Sequence, residues 1–208
     1  FTAVRANYKI LISHIQINLW MSQGTINSMA TYFFIINKLN IKINTICMKI
    51  IVPMSGFGER FRRAGYKIPK PLIEVDGKPM IEHVVNMFPG ESDFIFVCNQ
   101  EHLAAENYGM RKTLLRICPT AVIKSISPHH LGPVHAVLSV CEELNLDESV
   151  VVNYCDFTCY WDWLHFKEFI DKTKCDGAIP AYWGFHPHSL GSTNYAYLKQ
   201  KDLLFKLI

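Results

Sequence analysis

Short apolar runs alternate with amphipathic stretches from Met48 to the end of the chain. "KIIVP" (49–53) has the length and content of a buried strand. "PMIEHVVNMF" (79–88) puts Met80, Ile81, Val84, Val85 and Phe88 on one helical face, with Pro79 suited to the first turn. "DFIFVCN" (93–99) and "AVIKSI" (121–126) read as strands. "PVHAVLSVCEEL" (133–144) spaces Val134, Val137, Cys141 and Leu144 as a helix does. "SVVVNY" (149–154) is a β-branched run, "WDWLHFKEFIDK" (161–172) an amphipathic helix, and "GAIPAYW" (177–183) a further strand despite Pro180. A hairpin is expected around "NYAYLKQKDLLFKLI", with Asp202 in its turn. Strands separated by helices at this rhythm predict a three-layer α/β/α domain around a mainly parallel sheet. In such sheets ligands bind outside the carboxyl ends of the strands.

Composition changes the picture at the N-terminus. Residues 1–47 hold Arg5, Lys9, Lys38 and Lys42 and no acid; the remaining residues carry 17 cations and 18 acids. This shift predicts an N-terminal extension (1–47) outside the fold and a domain over 48–208. Ile10 to Asn37 is uncharged, but Ser13, His14, Gln16, Asn18 and others interrupt it, and burying them in lipid is costly. No membrane association is expected. The net charge of +3 is too small to argue for a nucleic-acid partner. Seven scattered cysteines without a CxxC fit neither a disulfide framework nor a zinc ribbon. They suit a reducing cytoplasm. His186 and His188, either side of Pro187, are better read as solvent-facing than as a metal pair.

The chemistry concentrates in "MSGFGERFRRAGYKIPKP" (54–71), directly after the first strand. Gly56 and Gly58 permit close backbone approach, so that neighbouring N–H groups can converge on an anion. Arg60 adds a bidentate phosphate donor, and Lys70, between Pro69 and Pro71, a point charge on a stiffened backbone. Two cations beside an amide nest suit a triphosphate. A dinucleotide fingerprint fails for want of a third glycine, and a P-loop for want of GK[ST].

Gly-x-Gly-x-Arg, then Pro-Lys-Pro, then "LIEVDGKPMIEHVV" resembles the sugar-phosphate nucleotidyltransferases of Rossmann-like, GT-A-like fold. The likeness covers about residues 48–208 and is closest to the nucleotidyltransferases of bacterial capsule and surface-polysaccharide synthesis. It implies transfer of NMP from an NTP to a phosphorylated sugar or similar acceptor, with release of pyrophosphate. It also implies site roles. Arg60 would neutralise the leaving pyrophosphate, and Lys70 would contact the α-phosphate and the acceptor phosphate. Met54, Ser55, Gly56, Phe57 and Gly58 would bind nucleotide, with Asn99 at the end of the 93–99 strand. "HLGPVHAVL" (130–138) is similar to the family's base-contacting loop, which puts Gly132 against the base. "VVNYCDF" (151–157) is similar to its metal strand, which makes Asp156 a ligand of Mg²⁺.

Departures accompany the likeness. Pro133 follows Gly132 where relatives have a small residue, and His135 replaces a small polar one, so the base is left open. Asp162 reads as a helix cap. A GT-A glycosyltransferase is the alternative, but Cys155-Asp156-Phe157-Thr158 lacks Asp-x-Asp. A non-catalytic nucleotide-binding or sugar-phosphate-binding domain is another, against which Arg60, Lys70 and Asp156 speak. The reading leaves room for a homo-oligomer. Because relatives bring a second acidic metal ligand later in the chain, the domain is expected to be C-terminally truncated and to bind nucleotide with little or no pyrophosphate release.

Overall fold

In the computed structural model, which describes residues 48–145, 148–181, 198–201 and 204–207, the apolar runs form a four-stranded sheet. Its strands are β1 (Lys49–Met54), β4 (Phe94–Asn99), β5 (Val122–Ile126) and β6 (Val150–Val152). The order is β5-β4-β1-β6 and every pairing is parallel, with Ile51 opposite both Ile95 and Val152. A two-stranded hairpin, β2 (Glu74–Val75) with β3 (Lys78–Pro79), turns through Asp76 and Gly77, both at positive φ.

Period-two alternation divides the core between the two faces of this sheet. Ile50, Val52 and Met54 of β1 and Phe94, Phe96 and Cys98 of β4 share one cluster. It receives Ile81 and Val84 of α2 (Met80–Val85), Met110 and Leu114 of α4 (Met110–Ile117) and Trp163 of α6 (Trp163–Thr173). Ile51, Ile95 and Val97 face the other way, onto Ala136 of α5 (Gly132–Leu138) and Val140. Helices therefore cover both faces, and the layered parallel architecture expected from the sequence is present. The short helix α1 (Glu59–Arg63) follows β1 after the loop 55–58, and α3 (Gln100–Ala104) follows β4 directly.

One buried polar group anchors α6. Glu91 Oε1 accepts hydrogen bonds from Lys167 Nζ at 2.7 Å and Trp163 Nε1 at 3.0 Å, while the Met48 amide approaches Oε2 at 3.5 Å. Trp163 also meets Phe88 edge to face, with ring centroids 5.1 Å apart.

Several elements differ from expectation. The 133–144 helix ends at Leu138, and the face it buries is Ala136 and Val140 with Val137 and Leu144; Val134 and Cys141 point to solvent. Ala136 is small enough to bring the helix backbone close to the sheet, which a count of large apolar side chains overlooks. Residues 177–181 form no strand; the rest of that stretch, with His186 and His188, lies outside the described residues. The C-terminal hairpin is present as β7 (Leu198–Lys201) and β8 (Leu204–Leu207), paired antiparallel, with Asp202 outside the described residues. Residues 48–173 make up one compact unit; 174–181 and the β7–β8 hairpin belong to a second. Among the described residues no helix is long and apolar enough to cross a membrane.

Candidate active site

Strand order creates the site. From β1 the chain moves outward to β4 and β5 on one side, then returns to place β6 on the other. The loops leaving β1 and β6 must part there, opening a crevice at the carboxyl ends of the strands. A cleft of about 390 Å³ occupies that position.

Three segments line it. The loop after β1 supplies Met54, Ser55, Gly56, Gly58, Glu59 and Arg60. Gly58 sits at φ +64°, a left-handed turn that starts α1 without a side-chain cap. The N–H groups of residues 56–60 meet no acceptor among the described residues, while the Gly58 carbonyl accepts from Phe61 and Arg62. Consecutive amides are thereby left open beside Arg60, a cation without an ion pair among the described residues. The second segment is the loop after β5, which supplies His129, Gly132 and Pro133, with Gly132 at φ +83°. The third is the turn after β6, with Tyr154, Cys155 and Asp156.

Lys70 joins the first segment to the third. The single helical turn at Lys70–Leu72, set up by Pro69, carries its ammonium to the Asp156 carboxylate as an ion pair, and it lies 5.0 Å from the centre of the Phe61 ring. Cys155, buried behind this pair, is pushed up to about 12 by desolvation and by the Asp156 charge, against the opposing pull of Lys70. It is a neutral thiol, not a nucleophile. Asp156 brings one carboxylate to the cleft wall, and among the described residues no cluster of three His, Cys, Asp or Glu side chains forms a metal cage. One carboxylate with phosphate oxygens and water is still a donor set that Mg²⁺ accepts.

Of the residues singled out from the sequence, Met54, Ser55, Gly56, Gly58, Arg60, Lys70, Gly132 and Asp156 meet in this cleft. Phe57 turns aside and stacks on His130, with ring centroids 4.8 Å apart and planes at 26°. Asn99 is fully buried behind the loop: its amide donates to the Ser55 carbonyl at 3.2 Å, and its Oδ1 caps α3 through the Glu101 N–H at 2.8 Å. It shapes the loop from behind. Asp162 caps α6 through the His165 N–H at 2.9 Å, as its place before the helix predicts. His135 stands beside His129, not in the cleft lining.

His129 is the residue that sequence reading passed over. Its Nε2 lies 3.1 Å from Ser55 Oγ, and its Nδ1 accepts from the Leu131 N–H at 3.2 Å. Desolvation first, then the neighbouring His135 and His130, hold its imidazolium below the ordinary range. Its place three residues before Gly132 in "SPHHLG" is the one hint in the sequence.

Known proteins resemble this chain in sequence and in structure. The sequence profile of the MobA-like NTP transferase domain matches residues 50–203. A UTP–glucose-1-phosphate uridylyltransferase of Haemophilus ducreyi is 35% identical over 63 residues, which cover 29% of this chain and 21% of that protein. A glucose-1-phosphate cytidylyltransferase of Salmonella typhimurium is 32% identical over 63 residues, 29% of this chain and 24% of that protein. A mannose-1-phosphate guanyltransferase of Yarrowia lipolytica is 26% identical, with 76% of this chain and 46% of that protein covered. The chain thus spans less than half the length of these relatives. Among solved structures, a UDP-glucose pyrophosphorylase complexed with UDP-glucose superposes with a TM-score of 0.46 and 21% identity, over 62% of this chain and 55% of that one.

Proposed function

This chain belongs to the MobA-like NTP transferase domain family, and from that premise we propose that it transfers a nucleotidyl group from an NTP to a sugar 1-phosphate, releasing pyrophosphate. The observation that carries the reading is convergence: an open amide loop, Arg60, Lys70 and Asp156 reach one cleft from separate segments of the chain, at the switch point of a parallel sheet. The relatives named above use different bases and different hexose phosphates, and what they share is the chemistry proposed here.

The acceptor's phosphate oxygen is already anionic and needs no general base. It would attack the α-phosphorus in line with the departing pyrophosphate. The amides of residues 56–60 would hold the triphosphate and Arg60 would neutralise the charge that grows on the leaving group. Lys70 would bridge the α-phosphate and the attacking phosphate, fixing their approach. In doing so it would leave Asp156, whose carboxylate would then hold Mg²⁺ against the phosphates. The ion would supply neutralisation of phosphate charge. Gly132 would face the base, since a glycine there lets a flat ring approach the backbone. The product would be an activated sugar for surface polysaccharide, a purpose supported by the wording of "AGYKIPKPLIEVDGKPMIEHV" (64–84).

The test is incubation with each of the four common NTPs and a panel of sugar 1-phosphates with Mg²⁺, following pyrophosphate. Release with one base and one sugar class is expected, and it should be slow. Release from NTP alone, independent of any sugar phosphate, would point to a hydrolase instead.

A further inference from the structure

We propose that His129 is a positioning residue: it fixes the Ser55 hydroxyl as a hydrogen-bond donor to the triphosphate and ties the phosphate loop to the loop that carries Gly132. The proposal rests on the nucleotidyltransferase reading of the cleft and adds to it a residue outside the family signature.

The direction of the hydrogen bonds carries the argument. The Leu131 N–H can only donate, so Nδ1 of His129 must accept, and in the neutral ring the proton then resides on Nε2. Nε2–H therefore donates to Ser55 Oγ across 3.1 Å. That leaves the hydroxyl's own proton free. Ser55 is only 3% exposed, its Oγ has no other partner among the described residues, and the residue lines the cleft. A chain of donors thus runs from Leu131 through His129 to Ser55 and ends with a proton facing the phosphate site. A hydroxyl donating to a phosphate oxygen makes a charge-assisted bond, stronger than one between neutral groups.

The same bond spans two loops that leave strands separated in the sheet, β1 and β5, with β4 between them. Ser55 follows β1 and His129 follows β5, and the Phe57–His130 stack links the same two loops a second time. A triphosphate pulling on Ser55 would therefore act on the segment that ends at Gly132. Binding at the phosphate end and at the base end would be coupled through the imidazole.

Protonation breaks the relay at one point. A proton on Nδ1 would confront the Leu131 N–H and remove that bond, although Nε2–H could still donate to Ser55. The titratable and charged groups around the ring are His130 on its own loop, His135 of α5, and Glu59, Arg60, Lys70 and Asp156 across the cleft.

Calorimetric binding of inorganic tripolyphosphate to the full chain, with ¹⁵N NMR of the histidine rings, tests the assignment. The wild-type ring should show the Nε2–H tautomer, with a titration midpoint below the ordinary histidine value. His129→Phe, which keeps the ring but loses the donor, should weaken binding about tenfold, the effect of one hydrogen bond to a charged group. His129→Gln, which keeps a donor near Nε2, should recover most of that loss. Ser55→Ala should cost about the same as His129→Phe, and the two together no more than either alone, since both break one relay. An Nδ1–H tautomer, additive losses, or equal binding by the phenylalanine and glutamine variants would overturn the coupling while leaving the cleft a phosphate site. Failure of the wild type to bind tripolyphosphate at all would overturn the coupling and the nucleotidyltransferase reading together.

Discussion

Lys70 and Asp156 neutralise one another across the cleft, and this pairing gives their variants different signatures. The pair lies at the cleft wall, with side-chain exposures of 19% and 38%, so its contribution to folding is small. Lys70→Ala should leave the melting temperature within a few degrees and lower turnover by about two to three orders of magnitude, the scale of one lost transition-state donor. Asp156→Asn should lower activity and weaken its dependence on Mg²⁺ together; a large fall in melting temperature instead would mean that the carboxylate serves the fold. Two buried thiols make a second prediction. Burial raises Cys98 and Cys155 to about 12 from an ordinary 9.0. A group whose pKa is higher when folded favours the folded state until the unfolded chain begins to ionise. Stability should therefore be unaffected by these thiols below pH 9 and should fall as pH rises from there towards 12. The urea midpoint measured across that range should show the fall, and it should be shallower in the Cys98→Ala, Cys155→Ala double variant. At this scale the charged residues of the cleft lining were legible from their setting: Arg60 and Lys70 stand in a glycine and proline frame no ordinary loop needs. His129 and the inward turn of Asn99 were not, because each is defined by a partner more than forty residues away, at Ser55.

Among the elements, α6 is tied to the core by a buried ion pair. The Glu91 carboxylate receives Lys167, Trp163 and the Met48 amide, and the Lys167 and Glu91 side chains are only 8% and 5% exposed. Removing one partner of a buried pair leaves the other uncompensated, at a cost of about 3–5 kcal/mol. Glu91→Ala should cost that much in denaturant unfolding, whereas Glu91→Ala with Lys167→Met should recover a large part. Equal losses in both would show that packing by Trp163, not the charge, holds the helix. Strand positions were legible because period-two alternation has one physical reading: β1 and β4 carry a large apolar residue on each face. The face of α5 was less so. Its contact with the sheet is made through Ala136, with Val140 just past the helix end, and alanine weighs little in a hydrophobic pattern although it sets how near the backbone can come. The run at 150–152 reads as strand whichever position it takes; only the fold reveals β6 beside β1 at the sheet's edge, with Val150 and Val152 about half exposed.

For the whole molecule, the change in charge at residue 48 motivates the proposal that the folding unit starts there. A chain begun at Met48 should unfold at the same denaturant midpoint and with the same cooperativity as the 208-residue chain; a lower midpoint would show that residues 1–47 contribute to the fold. The architecture itself was legible from the alternation of strand and helix patterns, since a parallel sheet needs crossovers of that length. The place of the cleft followed from it, because ligands gather where the strand order reverses. The central claim is that this cleft joins a nucleotide to a sugar phosphate. Its most direct test is formation of sugar nucleotide from α-³²P-labelled NTP and sugar 1-phosphate with Mg²⁺, sensitive enough to see slow turnover. Label should pass into a sugar nucleotide for one base and one sugar class, and that transfer should vanish in Lys70→Ala. No labelled product with any pairing, or equal transfer by wild type and Lys70→Ala, would contradict the account.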